Sequence, residues 1–510
     1  MAMRTLTLRL PNLQAGRPVR SRRTFLDSLA SLDSSAWRAW RGRLAAAAGL
    51  LVGAFALAGA GCRPGDIVPD DSPPAVEPGP PPAAPDLGVP RAPDLAAPDD
   101  ATLRYNHFFV HQGADLSVWT GSGVALKTGA SGPELVLSPV RDKALACAAD
   151  EIDGGSARFD AAAGLCTGTD PNPTGLPAGV RYYNGDAFYY GTALSPEIRP
   201  ARPISSVIAS FAAATPAGTW IQLHVRAKLA SGYTKWYPLP VWAADFSTVK
   251  RHSVKGAGDA VANVDVDTFQ LKDKEPGASA YQLRVTLFST ATAVSPAVRR
   301  IAGAAQSSGT RAPNKPGDPT VWGTALEVPP RSQELPEYKG KGYGGGGEVW
   351  CSPTSTSMVM AYWSSQLRRP ALNQTVPDAA AGCYDWVYNG TGNWPFNTAY
   401  ASTLGLSGYV LRLDSLTQAE EWIRAGVPLI ISVAWKPGEL PGAPISQTNG
   451  HLIVLRGFDA KGDALVNDPA APSNDSVQRV YPRANLEAAW DHSGRTAYAV
   501  FPEGHRVPTP

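Results

Sequence analysis

The stretch from Tyr343 to Trp363 constrains the fold of this chain most, because it joins a run of four glycines to a segment of helical character. Consecutive glycines favour an irregular loop, since glycine loses the most conformational freedom in a helix or strand. Pro353 suits the first turn of a helix, where its missing N–H has no intrahelical partner. Val359 and Trp363 repeat at helical spacing and would face a core. The pattern predicts a loop followed by a helix that opens at Cys351.

Cys351 would therefore lie at the positive end of a helix dipole, which favours thiolate over thiol. Cysteine nucleophiles are activated in this way. The alternative is a buried structural cysteine, and this segment alone leaves it open. Cys383 has no adjacent histidine or basic residue, so we interpret it as a packed structural thiol.

The size and charge of the chain limit its class. At 510 residues it is long enough for two or three domains. A net charge of +2 with 18% charged residues gives no electrostatic case for binding nucleic acid. We predict no metal site and no cofactor, because five histidines form no ligand spacing with cysteines or carboxylates. They are His107, His111, His252, His492 and His505.

Residues 1–62 predict an export signal. Residues 21–26, Ser-Arg-Arg-Thr-Phe-Leu, resemble the twin-arginine export motif. An alanine-rich apolar run over 44–61, with a basic flank before it and Cys62 after it, is typical of a signal peptide. Cys62 is a candidate for lipid attachment to a membrane, and a single transmembrane anchor is the alternative.

Residues 63–101 consist mostly of proline, alanine and aspartate. Such a composition cannot bury enough apolar surface to fold, so we predict a disordered, semi-extended linker. It would hold a folded body away from a membrane or a cell wall.

Residues 102–305 predict an all-β sandwich. Apolar and polar residues alternate over 220–229 and again over 281–287. Alternation of period two indicates strands with one buried face. His224 falls on the polar face of its strand, which predicts a solvated histidine.

Cys147 and Cys166 flank a short polar loop and can pair as a disulfide in an exported protein. Trp236, Tyr237 and Trp242 lie close together in the same region. They are candidates for the sandwich core or for a surface that stacks on sugar rings. The region would be an accessory domain whose ligand the sequence does not name.

Residues 306–325 predict a linker, because they are rich in serine, proline, glycine and asparagine. Residues 326–505 predict a second domain of mixed helices and strands. Within it, Ser415 and Gln418 indicate a capping box that opens a helix, with Gly426 as its stop.

His451 and Asp468 lie at the outer ends of two apolar segments that a turn over residues 459–463 connects, which predicts a hairpin. Residues paired across a hairpin lie within reach of a hydrogen bond. An odd number of loop residues would turn Asn467 toward the histidine, whereas an even number or a bulge would present Asp468. Either side chain can orient the imidazole.

Cys351, His451 and Asp468 follow the order of the papain-like arrangement, with the cysteine on a helix and the other two on a sheet. The histidine would take the thiol proton and later return one to the leaving amine, while the acid holds its tautomer. The Cys351 backbone N–H would donate to the oxyanion. Gln333 is a candidate for the second donor, and an ordinary surface glutamine is the alternative.

Residues 328–501 resemble the bacterial C-thirty-nine-like cysteine peptidases, relatives of the bacteriocin-processing peptidases in the papain-like clan. The preceding β-rich region resembles the one that comes before this domain in such exported proteins. The resemblance implies Cys351 as nucleophile, His451 as base and Asp468 as orienting acid. It also implies Gln333 as the glutamine of the oxyanion hole. The matching stretches are residues 344–358, 392–400, 449–452 and 466–469.

One departure from the family pattern lies at the nucleophile, where relatives often carry Cys-Gly-Pro and this chain has Ser352 before the proline. Serine is still compatible with the start of a helix. Nothing here resembles a transporter, so the double-glycine substrate of the transporter-linked relatives is not implied.

Gly347, Trp350 and Trp394 are candidates to line the cleft, and a core role is an equal alternative for Trp394.

The sequence therefore predicts an α+β protein, with a β-sandwich followed by a papain-like domain that hydrolyses peptide bonds through a thioester acyl-enzyme. We expect an exported monomer, extracellular or periplasmic, that acts on a peptide or protein substrate. One alternative is a thiol-dependent amidase or transferase that acts on cell-wall peptide. The other is a catalytically silent binding protein in which the sandwich carries the function.

Overall fold

The computed structural model of this chain covers its two folded domains. The predicted export signal and the predicted linker over 63–101 lie outside the residues that it describes. Within those residues, no helix has both the length and the apolar character needed to cross a membrane. The described residues are 105–129, 132–176, 179–311 and 314–509.

The first domain consists of strands, as its alternating sequence predicts. They form two antiparallel sheets. The strands are β1 (Asn106–Gln112), β2 (Thr120–Ser122), β3 (Val124–Gly129), β4 (Gly132–Leu137), β5 (Ala157–Asp160), β6 (Leu165–Thr169), β7 (Ala187–Leu194), β8 (Ile204–Ala214), β9 (Thr219–Leu229), β10 (Gly232–Tyr233), β11 (Tyr237–Trp242), β12 (Ala262–Asp265), β13 (Thr268–Leu271), β14 (Ala280–Ser289) and β15 (Ala297–Ser307).

The first sheet has the strand order β12-β13-β8-β15-β4-β3, and β1 also pairs with β15. The second sheet has the order β10-β9-β14-β7-β6-β5, with β11 beside β9 and β2 beside β7. Aromatic rings connect the two inner faces. The ring of Phe109 in β1 lies 6.1 Å from that of Tyr281 in β14, and Phe211 in β8 lies 5.9 Å from Trp242 in β11. The sheets therefore share one hydrophobic core, as in a β-sandwich.

Cys147 and Cys166 form a disulfide bond. Cys166 belongs to β6, so the bond fastens the loop that contains Cys147 to the second sheet. The two cysteines are 19 residues apart, and closing a loop of this size stabilises a fold by about 3 kcal/mol through the unfolded chain.

His224 is buried, so the prediction of a solvated histidine is wrong. Its Nε2 atom lies 3.0 Å from Oδ1 of Asp153, and the hydroxyl group of Tyr182 donates to the same carboxylate. The alternation identified the polar face of β9 correctly. The alternation gave no information on the segment around Asp153, which covers that polar face. Both faces of β9 are therefore largely buried.

The aromatic cluster of the sandwich divides between core and surface. Tyr237 and Trp242 are buried in the core. Trp236 is partly exposed, and the guanidinium groups of Arg226 and Arg284 each lie 4.6 Å from its ring. Cation–π contacts therefore hold this ring at the surface, while the other two rings of the cluster belong to the core.

The second domain packs helices against one six-stranded antiparallel sheet of order β16-β21-β17-β18-β19-β20. The elements are α1 (Cys351–Leu367), α2 (Val376–Cys383), α3 (Trp394–Thr403), β16 (Leu406–Arg412), α4 (Leu416–Arg424), β17 (Leu429–Trp435), β18 (Thr448–Phe458), β19 (Ala464–Asn467), β20 (Gln478–Tyr481), α5 (Arg483–Asp491) and β21 (Thr496–Pro502). Ser415 caps α4 by accepting the N–H of Gln418, as the capping box predicts.

Helix α1 lies across this sheet. Trp363 donates its indole N–H to the carbonyl oxygen of Val500 in β21 at 2.7 Å, and the Ser355 hydroxyl group donates to Leu452 in β18 at 3.0 Å. Both contacts are buried. They fix the helix so that its first turn lies at β18.

The segment predicted as a linker is packed against the second domain over residues 314–325. Val321 is buried, Trp322 donates its indole N–H to Glu420 at 2.9 Å, and Ala325 forms a β-bridge with Gly457. The composition of the segment indicated a linker, but the side chains of Val321 and Trp322 pack in the core of the second domain.

The two domains form one compact unit. The outer face of the first sheet is covered by β16 and α3 of the second domain. The Ser210 hydroxyl oxygen accepts the N–H of Val410 at 3.0 Å, and the ring of Phe108 lies 4.9 Å from that of Tyr409. The sandwich therefore packs on the second domain through strands β1, β8 and β15 of this sheet.

Candidate active site

Cys351 is the first residue of α1 and is partly exposed. The preceding loop is held by Trp350, which is fully buried and donates its indole N–H to the carbonyl oxygen of Tyr343 at 3.0 Å. The first N–H groups of a helix have no partner within it. The Cys351 sulfur and backbone N–H therefore lie together at the open end of the helix.

His451 is oriented by Asp468. Its Nε2 atom lies 2.7 Å from Oδ1 of Asp468, and both side chains are buried. The other carboxylate oxygen accepts the hydroxyl group of Tyr481 at 2.5 Å, while the N–H of Ala470 donates to Oδ1 at 3.0 Å. Since Nε2 is engaged, Nδ1 is the ring nitrogen left to interact with the Cys351 thiol.

A β-bulge decides which side chain reaches the histidine. Strands β18 and β19 are joined by a loop over residues 459–463, an odd number that alone would turn Asn467 toward His451. The register shifts between Leu455 and Gly457, however, and Asn467 pairs with Val454. This shift places Asp468 on the face of His451. Asn467 points to the other face and donates to the carbonyl oxygen of Val328 at 3.0 Å.

The electrostatics of the three side chains favour a charged pair. Burial alone would raise the pKa of the Cys351 thiol, but the hydrogen bond and charge of His451 outweigh it and lower that pKa. Burial would lower the pKa of His451, but Asp468 and then Cys351 raise it above its ordinary value. Both shifts favour the pair of thiolate and imidazolium, the state in which a cysteine acts as a nucleophile.

Gln333 lies at the same site despite the glycine-rich insert that separates it from Cys351 in sequence. Its backbone N–H donates to the carbonyl oxygen of Pro469 at 2.8 Å, next to Asp468. Gly347 packs on the Gln333 carbonyl group so closely that a Cβ atom at 347 would lie 2.1 Å from its oxygen. The glycine run is thus what lets this chain segment approach the helix end.

Two residues that support the histidine were not found from the sequence. The ring of Trp435 lies 5.9 Å from that of His451 and perpendicular to it, and Tyr481 holds Asp468. Trp435 ends β17, and its contact with the histidine depends on the pairing of β17 with β18. Tyr481 lies in β20 beside β19, and no pattern in the sequence indicates that pairing.

A cavity of about 1060 Å³ opens over Cys351 and His451. Gln333 and Trp394 line it. Gly347 and Trp350 lie behind its wall, because one packs on Gln333 and the other is enclosed beneath the glycine loop.

The first domain holds the loop that borders this cavity. Asp385 is fully buried and accepts the N–H of Ser253 through both carboxylate oxygens, at 3.0 Å and 2.9 Å. The same carboxylate accepts the side-chain N–H of Asn393 at 3.0 Å and the backbone N–H of Tyr388 at 2.9 Å. The sandwich therefore fixes the loop over residues 385–393.

Asp267 makes a second connection between the domains. This side chain lies in the turn between β12 and β13, and it accepts the N–H of Trp394 at the start of α3 at 2.7 Å. Burial raises its pKa to about 7, against the opposing effect of the hydrogen bonds from Trp394 and Thr268. The carboxyl group is thus a buried group that titrates near neutral pH.

We expect the Asp267→Asn variant to change how stability depends on pH. The folded protein holds this proton up to about pH 7, whereas the unfolded chain releases it near 3.8. The stability that Asp267 contributes is thus complete below pH 3.8 and is lost as the pH rises through about 7. The free energy of unfolding of wild type, relative to the variant, should fall by roughly 2–4 kcal/mol across this window.

Denaturant unfolding at pH 4.5, 6.0 and 7.5 measures this difference, with Asp265→Asn as the control on the exposed neighbour in the same turn. A difference between wild type and Asp267→Asn that stays constant with pH would contradict the prediction.

Cys383 differs from Cys351 in its surroundings and in the pKa of its thiol. It is buried, its thiol faces the carbonyl oxygens of Ala380 and Thr391, and burial raises its pKa to about 12. Among the residues that the structure describes, no group of three or more His, Cys, Asp or Glu side chains is arranged to hold a metal ion.

Comparison with protein families gives two matches that divide the chain as its domains do. Residues 109–307 match the family described as Peptidase C39 N-terminal domain. Residues 325–498 match the Peptidase_C39 like family. No curated protein sequence matches the chain.

Two solved structures show a distant likeness. One comes from a study of the structural basis for the promiscuous specificity of carbohydrate-binding modules from the β-sandwich superfamily. It is 10% identical to this chain, with a TM-score of 0.14, and the match covers 41% of this chain and 58% of that one. The other is the family 11 carbohydrate-binding module of the cellulosomal cellulase Lic26A-Cel5E of Clostridium thermocellum, 8% identical, with a TM-score of 0.14 and coverage of 40% and 89%. At these TM-scores neither likeness bears on the fold or the ligand of this chain.

Proposed function

Because the chain belongs to the C39-like peptidases and carries the N-terminal domain of that family, we propose that it is a cysteine peptidase that hydrolyses peptide bonds. The observation that carries this proposal is the arrangement of Cys351, His451 and Asp468: the cysteine and the histidine line one cavity, the carboxylate binds Nε2 of the imidazole, and His451 lowers the pKa of the thiol.

The reaction follows from the charges at the site. The Cys351 thiolate attacks the carbonyl carbon of the substrate, and the developing oxyanion accepts hydrogen bonds from the Cys351 backbone N–H and the Gln333 side-chain amide. His451 gives its proton to the amine nitrogen, the C–N bond breaks and a thioester remains. His451 then takes a proton from water, whose oxygen attacks the thioester. The acid leaves, and the thiolate is restored.

Asp468 holds the imidazole of His451 in one tautomer and one orientation during this cycle. Its carboxylate accepts the Nε2–H of His451, which leaves Nδ1 to exchange the proton with the sulfur and the leaving group. Tyr481 and Ala470 bind the carboxylate in turn, so the acid is held without freedom to rotate. A fixed acid and a fixed imidazole reduce the reorganisation that the reaction requires.

The protein is also proposed to act outside the cytoplasm, as its first 62 residues predict. The disulfide between Cys147 and Cys166 supports this location, because disulfides persist in oxidising compartments. Attachment to a membrane through a lipid on Cys62 is part of the same proposal.

The pH dependence of thiol alkylation should separate Cys351 from Cys383, the two free cysteines of the described residues. The pKa of Cys351 is lowered by His451, so its reactive thiolate persists as the pH falls below the ordinary thiol range and is lost only when the pH passes the lowered value. Burial holds Cys383 as the neutral thiol. Iodoacetamide at pH 6 should therefore modify Cys351 at least about tenfold faster than Cys383, as mass spectrometry of the two peptides measures.

A substrate survey tests the proposed function against its alternatives. The full chain is incubated with a mixed peptide library and, separately, with peptidoglycan fragments, and mass spectrometry detects the products. Cleavage of library peptides that a thiol-directed epoxide abolishes supports a peptidase. Turnover of peptidoglycan fragments alone supports the cell-wall amidase or transferase. If neither is cleaved and Cys351 reacts no faster than Cys383, the protein is a silent binding protein.

A further inference from the structure

The cavity over the catalytic cysteine crosses the boundary between the domains. Its lining includes Asn263, Asp265, Val266 and Asp267 from the β12–β13 hairpin of the sandwich, together with Cys351 and His451. One wall of the site is thus built by the first domain.

The tip of that hairpin is held in place. Val266 adopts a φ angle of 52°, a left-handed conformation that a β-branched residue rarely takes. The conformation persists because both sides of the turn are tied: Asp267 donates its backbone N–H to the carbonyl oxygen of Asp265 at 2.7 Å, and its side chain accepts the N–H of Trp394. The anchored turn presents Asp265 to solvent at the cavity.

The exposed charged groups on the cavity wall are acidic. Asp265, Glu334 and Glu348 line the cavity and are exposed. Asp491 is a fourth exposed acid of the lining, and it is paired with Arg311 and Arg495. The cavity lining includes one arginine, Arg412, which is buried and donates to the hydroxyl groups of Ser206 and Thr496. No lysine is among the lining residues of this described cavity. The three like charges of Asp265, Glu334 and Glu348, which form no ion pair with an arginine or lysine of the cavity lining, give a negative potential that attracts cations.

A buried acceptor on the same wall has no partner. Gln333 is 4% exposed and lines the cavity, and its Oε1 atom has no hydrogen-bond partner among the described residues. A buried polar atom left unpaired is unfavourable and is commonly satisfied by a ligand or water. The acceptor therefore points, independently of the acidic groups, to a bound molecule that carries hydrogen-bond donors.

Apolar surface lies next to the acids. Val349 and Tyr388 are each 46% exposed, and both line the cavity. Val349 follows Glu348 directly in sequence. Lysine and arginine pack their aliphatic stems on apolar surface while the charged end reaches a polar partner. The wall thus offers both surfaces that such a side chain requires.

We propose that this cavity selects substrates with a cationic side chain near the scissile bond, and that Asp265 of the N-terminal domain, together with Glu334 and Glu348, sets this selectivity. The part that concerns hydrolysis rests on the proposed peptidase function. The N-terminal domain is then a specificity element of the active site in addition to its structural role.

The first experiment measures the charge selectivity of the cavity without peptide cleavage. Two methanethiosulfonate reagents of matched size, one with an aminoethyl and one with a sulfonatoethyl group, modify Cys351, and mass spectrometry follows the rates. The ratio of the cationic to the anionic rate should be at least about tenfold in wild type. Asp265→Asn and Glu348→Gln should each lower it about two- to fivefold, the effect of one charge at this range.

Asp273→Asn is the matched control, because Asp273 is an exposed acid of the same domain that does not line the cavity. It should leave the ratio unchanged. Circular dichroism of each variant verifies the fold. A wild-type ratio near one, or an equal change in the Asp273→Asn control, would overturn the proposal.

The second experiment tests the substrate itself. Peptides that differ only by lysine, glutamine or glutamate at one position beside the scissile bond are compared by kcat/KM. We expect lysine to exceed glutamate by at least about tenfold in kcat/KM, and Asp265→Asn to reduce this preference while Asp273→Asn leaves it unchanged. Cleavage without a charge preference would overturn the selectivity but leave the peptidase function intact. If wild type cleaves no peptide, the peptidase function fails, and the reagent ratio alone decides whether the cavity selects cations.

Discussion

The Cys351→Ala variant is expected to lose peptide hydrolysis almost completely, with kcat falling by at least about 10⁴-fold. The variant removes the sulfur that forms the thioester, and no other group at the helix end can replace it. Because Cys351 is partly exposed at the start of α1, alanine leaves the helix and its packing in place. The measurement is single-turnover cleavage of the best library peptide by wild type and variant at equal concentration.

Cys383→Ala provides the control for this loss. It also removes a thiol, but from a buried position whose sulfur contacts only backbone carbonyl oxygens among its hydrogen-bond partners. Its kcat should stay within about threefold of wild type, with a modest loss of stability from the small cavity that is created. Retained hydrolysis in Cys351→Ala, or equal losses in both variants, would show that the cysteine of α1 is not the nucleophile.

The second large effect is expected at Asp468, where the residue that replaces the aspartate decides how far kcat falls. Asp468→Ala leaves the buried Nε2–H of His451 and the Tyr481 hydroxyl group without their acceptor, so kcat should fall by about 10²–10⁴-fold. Asp468→Asn can still accept from Nε2 through its amide oxygen, and it should retain at least about tenfold more activity than the alanine variant. The alanine variant should also shift the pH at which Cys351 becomes alkylated upward, because the imidazolium that stabilises the thiolate is weakened.

Asp475→Ala is the matched control, since Asp475 is an exposed acid shortly after Asp468 in the sequence. It should leave kcat and the alkylation profile unchanged. Alanine and asparagine variants of Asp468 with equal activity and an unshifted alkylation profile would mean that the carboxylate only fills space.

The structure changes the expected relation between the two domains. Composition suggested an accessory sandwich joined through a linker. Instead, strands β1, β8 and β15 of the sandwich pack on β16 and α3, and Asp267 accepts the backbone N–H of Trp394, the first residue of α3, beside the cavity. Trp394 is positioned at the site through this contact. Removal of the sandwich would therefore disturb the cavity as well as the stability of the second domain.

Much of the local structure could be predicted from the sequence. The glycine run, Pro353 and the helical spacing indicated a helix that begins at Cys351, and the structure begins α1 there. The capping box at Ser415 and the hairpin that carries His451 are also present as predicted. These features depend on contacts between residues near each other in the chain, so their side-chain patterns are sufficient to indicate them.

Only the tertiary structure decided which side chain orients the histidine and what forms the walls of the site. A single bulged residue reversed the face of β19 and brought Asp468 in place of Asn467 to His451. His224 was predicted to be solvated, because a polar face can be recognised from alternation but the segment that covers it cannot. The hairpin that presents Asp265 to the cavity is likewise distant in sequence from Cys351. Sequence patterns report the periodicity of each element, whereas the packing of one element on another depends on register and on long-range contacts that leave no local pattern.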